Sequence, residues 1–157
     1  MSTNFAPEAH NAAPACDHSE LFIVVCGLPG SGNHMLQHLF IAAGAESYVR
    51  HGYDGENPYK ILFDIHNHRT MAVMPIRDDW ASRCSCSWTD EENVRDNCLA
   101  TTCEVMRKRG IRLRMVSYES LFLYPEKSKD ALLKWAGLPI VDWPDYPRDE
   151  NAKHYGA

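Results

Sequence analysis

Apolar residues fall along this chain in short unbroken runs that alternate with segments of helical periodicity. The first run, Leu21 to Cys26, has no polar interruption and is rich in β-branched side chains, the pattern of a parallel strand covered on both faces. Gly27, Pro29, Gly30 and Gly32 break it. Beyond them Leu36, Leu39, Phe40 and Ala43 recur at helical spacing up to Gly44, where the chain can leave a helix. A strand, a glycine-rich turn and an amphipathic helix therefore follow one another without a gap.

The same pattern predicts the rest of the domain. Glu46 to Arg50 reads as a short second strand, and HGYDGENPYK after it as a loop, from its Gly, Asp, Asn and Pro content. Lys60 to Ile65 and Met71 to Ile76 are two further strands separated by HNHR, and Ile111 to Ser117 is another. Between the last two, Trp80, Cys84 and Trp88 share one helical face, and Thr89 with Glu92 has capping-box spacing for a helix ending near Gly110. Pro125 to Ala136 predicts a final helix, with Pro at its start and Gly137 at its end. Strands alternating with helices predict an α/β fold, a three-layer α/β/α domain around a central parallel sheet. No internal repeat is present.

Length and charge narrow the picture. The 157 residues suit one domain, and residues 1–19, rich in Ala, Asn, Pro and Ser without sustained periodicity, are expected to form a flexible leader to a single domain over 20–157. A net charge of −5 carries no general affinity for polyanions, so long nucleic acid is not an expected partner and any anion site must be built locally. No basic, apolar-cored leader and no apolar run near the ~20 residues of a membrane span occurs; the expectation is a cytoplasmic protein with no membrane partner. Cys16, Cys26, Cys84, Cys86, Cys98 and Cys103 contain no CxxC and read as reduced thiols. Neither their spacing nor the His34/His38 pair, which lacks the Glu of a zinc-protease motif, matches a common metal site. No metal is expected.

The glycine-rich turn brings in chemistry. Glycines let the backbone approach an anion, and the free N–H groups and dipole of a helix N-terminus favour negative charge; a phosphate or sulfate is expected at Ser31 to His34. Against the Walker pattern, Gly27 and Gly32 take glycine positions, but Asn33 stands where the Lys belongs and His34 where the Mg-binding Ser or Thr belongs. Phosphoryl transfer leans on both missing groups. A second constellation, MAVMPIRDDWASRCS, places Arg77 at the end of a strand and Ser85 eight residues later on the next predicted helix. Both can reach one phosphate, the guanidinium by a bidentate pair.

GLPGSGNHML followed by PIRDDWASRCS resembles the two nucleotide-binding segments of the sulfotransferases that use 3'-phosphoadenosine 5'-phosphosulfate (PAPS), which pair a PKSGTTW-like strand-loop-helix with an RDPRDVAVS-like segment. VSYESLFLYPEKSKDALLKWAGLP is similar to the family's YEDL, helix and LGLP tail, and ENAKHYG resembles the ending of some short bacterial and phage members; the similar segments span residue 21 to the end. The resemblance implies a P-loop-containing nucleotide-binding type of fold and sulfuryl transfer from PAPS to a hydroxyl or amine of a small-molecule or carbohydrate acceptor. It implies that Gly30, Ser31, Gly32, Asn33 and His34 hold the 5'-phosphosulfate and that Arg77 and Ser85 hold the 3'-phosphate.

The resemblance also implies a general-base histidine after the Lys60 to Ile65 strand, His66 first and His68 second. Gly30 departs from the family, which has a Lys or Arg there; Arg50, Arg69 and Lys153 are the candidate replacements. His51, Tyr53, Asp54 and Glu56 are candidates for the acceptor side or simply solvated loop residues. Tyr118 and Glu119 are expected to be structural, holding the phosphate turn or a neighbouring Arg. Trp80, Trp88, Trp135 and Trp143 read as core or rim, with Trp80 the candidate adenine platform. Two other functions compete: a nucleotide or small-molecule kinase with a degraded P-loop, and a non-catalytic nucleotide-binding protein.

Overall fold

Leu21, Ile23 and Val25 point to one side of their strand and Phe22, Val24 and Cys26 to the other, and each set needs its own cover. Both receive it. The computed structural model describes residues 21–28, 30–49, 69–78 and 92–150, with only the backbone of 92–98. Its elements are β1 (Leu21–Val25), α1 (Asn33–Ala42), β2 (Glu46–Val49), β3 (Arg69–Ile76), α2 (Glu92–Lys108), β4 (Arg112–Ser117), α3 (Tyr118–Leu123) and α4 (Pro125–Ala136). The strands form one parallel sheet in the order β2-β1-β3-β4.

One face buries Leu21, Ile23, Val25, Met71 and Val73 against Leu36, Leu39 and Phe40 of α1, Leu121 of α3, and Leu132, Leu133 and Ala136 of α4. The other buries Val24, Cys26, Ala72 and Met74 against Val105 and Met106 of α2. Helices thus cover both faces of a parallel sheet, the layering expected from the alternation of elements. Among the described residues no helix is long and apolar enough to cross a membrane.

The expected elements coincide closely with the observed ones where the chain is described. The final helix spans Pro125–Ala136 and ends on Gly137 at φ 75, where the Leu138 N–H bonds back to the Leu133 carbonyl and a glycine avoids left-handed strain. β3 begins at Arg69, so the Arg of HNHR belongs to the strand. The Lys60 to Ile65 strand, the HGYDGENPYK loop, the Trp80 helical face and the Thr89 cap lie outside the described residues.

α3 is an addition. Six residues after β4 turn into a helix because Ser117 caps it: its Oγ accepts from the Ser120 N–H at 3.3 Å. Ser117→Ala should cost about 1 kcal/mol of stability, read as a lower midpoint in urea unfolding with an unchanged slope.

Sheet order and register together fix where a ligand can sit. From β1 the chain passes by α1 to β2 on one side, then returns across β1 to β3 and β4 on the other. The direction reverses at β1, and in open parallel sheets the crevice at the carboxyl ends of such strands is where ligands bind. β1 ends at Val25, opposite Val73, while β3 continues through Met74, Pro75 and Ile76. The residues after β1 fold into that step. Pro75, which lacks an N–H for a strand ladder, stands where β1 has already ended.

Candidate functional site

The turn from Gly27 to Gly32 is closed by its own side chains. Asn33, buried at 3 % exposure, accepts from the Gly27 N–H at 3.0 Å and donates from Nδ2 to the carbonyls of Gly27 (3.1 Å) and Leu28 (2.9 Å). Ser31 is also buried, and its Oγ and N–H both donate to the Leu28 carbonyl. The Leu28 oxygen is therefore the knot of the turn, with three donors on it. Small polar side chains in tight turns commonly satisfy nearby backbone in this way.

That packing demands glycine at position 27. A Cβ there would lie 2.5 Å from Ser31 Oγ, 2.6 Å from Asn33 Oδ1 and 2.6 Å from Pro75 Cγ. Gly30 and Gly32 have φ of 76 and 86, and a Cβ on Gly32 would stand 3.0 Å from the Tyr118 ring.

With the side chains of Ser31 and Asn33 turned inward, backbone is what the turn has left to offer a ligand. Gly32 is the N-cap of α1, no side chain caps the helix, and no acidic residue lies in its first turn. The N–H groups of Gly32, His34 and Met35 donate to none of the described residues. Helix starts of this kind carry partial positive charge that suits phosphate or sulfate.

Arg77 follows β3 directly and is 6 % exposed. Its Nη1 donates to the Gly30 carbonyl at 2.6 Å, and its guanidinium carbon lies 4.8 Å from the centre of the Tyr118 ring, within range of a cation–π contact. Tyr118 opens α3 at the end of β4, so the same ring borders Gly32 and carries Arg77. Its hydroxyl donates to the Arg148 carbonyl at 3.3 Å. Burial pushes the Tyr118 phenol above its usual pKa, with the Arg77 charge opposing the rise, so the hydroxyl remains a donor at neutral pH. Glu119 accepts from the Asp78 N–H and from Ser117 Oγ, both at 2.8 Å. Of the two residues expected to hold the phosphate turn or a neighbouring Arg, Tyr118 touches both Gly32 and Arg77, whereas Glu119 holds the Asp78 N–H at the strand end.

The other expected residues divide clearly. His34 is exposed, its Nδ1 3.3 Å from Gln37 Oε1, while His38 Nδ1 pairs with Asp145, so the two rings have separate partners. Arg69 pairs in register with Leu21 at the start of β1. At ~3.3 Å per residue that is about 23 Å along β3 from Ile76, so Arg69 is not the cation missing at Gly30. Cys26 and Cys103 lie on the α2 face outside any disulfide, Cys26 Sγ donating to the Val73 carbonyl at 3.5 Å, and burial raises the Cys103 pKa. Trp143 is core, its Nε1 donating to the Pro125 carbonyl at 3.3 Å, and Trp135 lies beside the Arg112 guanidinium. His66, His68, Ser85, Trp80, Arg50, Lys153 and the candidate acceptor residues His51, Tyr53, Asp54 and Glu56 lie outside the described residues.

Sequence reasoning singled out Gly27 by its Walker glycine position but not the side-chain packing that demands it, and it missed the Arg148 carbonyl, since no sequence pattern links Arg148 to Tyr118. No protein-family model matches this chain, and no curated protein matches its sequence.

Proposed function

We propose that the protein is a PAPS-dependent sulfotransferase of the P-loop-containing type, with the Gly27–His34 turn taking the phosphosulfate end of the donor. The observation that carries this reading is the uncapped, acid-free start of α1 at the point where the sheet order reverses, with the Arg77 guanidinium packed on the turn. Metal-free transfer of a sulfuryl group asks for such a site: backbone donors and a fixed cation that stabilise charge without reorganising.

In the reaction a hydroxyl or amine of a small-molecule or carbohydrate acceptor attacks sulfur in line. The S–O bond to the phosphate breaks, 3',5'-ADP leaves, and the acceptor proton passes to a base, for which His66 and then His68 are the candidates. A positioned base of this kind contributes typically 10²–10⁴-fold. The competing kinase reading is weakened by Asn33, whose amide is spent inside the turn at the position a P-loop lysine would use.

Thermal denaturation with 3',5'-ADP, ATP, and ATP plus Mg²⁺ tests the proposal. Saturating 3',5'-ADP without metal should raise the melting temperature, since ligand at 100 times its Kd adds about 2.7 kcal/mol. A shift with ATP plus Mg²⁺ alone would favour the kinase, and binding of 3',5'-ADP without sulfuryl transfer to any acceptor would favour a non-catalytic nucleotide-binding protein.

A further inference from the structure

We propose that Arg77 serves the anion held in the Gly27–His34 turn, as a positioning residue acting through the Gly30 carbonyl. This rests on the reading of the turn as the seat of the donor's phosphosulfate end. It differs from the role the sequence resemblance implies, a direct contact of Arg77 with the 3'-phosphate.

The geometry is specific. β3 outruns β1 by the residues Met74, Pro75 and Ile76, which brings the following Arg77 level with the turn. Its Nη1 lies 2.6 Å from the Gly30 oxygen, the separation of a short, charge-assisted hydrogen bond. The Tyr118 ring, 4.8 Å away, backs the guanidinium and also borders Gly32. Glu119, held by Ser117, fixes the next backbone N–H of the strand end, that of Asp78.

A cation on a carbonyl oxygen does two things to a glycine-rich turn. It holds that oxygen to its own side, and in a segment where Gly30 and Gly32 impose little preference this fixes how the neighbouring peptide groups are presented. It also adds positive charge close behind the turn at a buried position, where salt screens it poorly. Gly30 has no cation of its own to offer. Arg77 supplies the charge from behind.

The pair 5'-AMP and 3',5'-ADP, which differ only in the 3'-phosphate, separates the two roles by isothermal titration in EDTA. Arg77→Met should weaken both ligands by the same factor, about 10- to 100-fold from the value of a charged hydrogen bond, and Arg77→Lys should recover part of the loss for both. Tyr118→Leu, which removes the backing ring and keeps the charge, should also weaken both equally; it carries the test if Arg77→Met fails to fold by circular dichroism. A purely structural role would lower the melting temperature but leave the affinity of the folded protein intact, without rescue by lysine.

Loss confined to 3',5'-ADP would overturn the proposal and leave the sulfotransferase reading standing. Equal affinity of the wild type for both nucleotides, lost together in Arg77→Met, would support the proposal while removing the selectivity expected of a PAPS enzyme. Wild-type protein that binds neither would overturn both.

Discussion

Gly27→Ala should lose about 3 kcal/mol of stability and all measurable binding of 3',5'-ADP. The methyl group would stand 2.5 and 2.6 Å from Ser31 Oγ and Asn33 Oδ1 and 2.6 Å from Pro75 Cγ, and each of these neighbours is fixed. Ser31 is tied to the Leu28 carbonyl, Asn33 to Gly27 and Leu28, and Pro75 sits in the β3 backbone. Relief therefore requires the turn to open. Overpacking costs typically 1–3 kcal/mol, and each buried hydrogen bond left unmade adds about 1–3 kcal/mol. Urea denaturation gives the stability and titration calorimetry the binding. Wild-type behaviour in both would mean that the turn is not packed as described.

Asn33 gives the second large effect, destabilising with either replacement but for a different reason in each. Asn33→Leu removes three hydrogen bonds that close the turn and should cost about 2–4 kcal/mol. Asn33→Lys restores the residue type of a nucleotide-kinase loop, yet the position is 3 % exposed, and a buried ammonium without a partner is strongly unfavourable. It should destabilise the protein at least as much as leucine and confer no Mg²⁺-dependent ATP binding, measured by thermal denaturation with and without ATP plus Mg²⁺. Gain of that binding would revive the kinase reading.

The framework of the site was legible because local signals agreed. An unbroken apolar run, four closely spaced Gly and Pro residues and a helical stripe specify β1, the turn and α1 with no tertiary information, and Pro125 with Gly137 brackets α4 in the same way. α3 was less legible: YESLFL carries too few residues to show a period, and its start depends on the Ser117 hydroxyl reaching the Ser120 N–H.

Side-chain direction was the larger gap. Ser31 and Asn33 read as ligand contacts from their place beside the glycines, but both turn inward to satisfy backbone at Gly27 and Leu28. Nothing in a sequence distinguishes a polar side chain that closes a turn from one that faces a ligand. Arg77 was visible as a strand-end cation. Its contact with Gly30 depends on β3 extending past β1, a matter of register that only the assembled sheet reveals. The same register removed Arg69, which falls at the far end of β3.

In the proposed function the start of α1 holds the phosphate end of a nucleotide through backbone N–H groups. Titrating ¹⁵N-labelled protein with 3',5'-ADP in EDTA and following the amide resonances tests it most directly. Saturable shifts are expected, largest at Gly32, His34 and Met35, with Arg112 and Leu113 at the start of β4 unmoved. No saturable shift at those three amides, or shifts centred on another part of the chain, would contradict it.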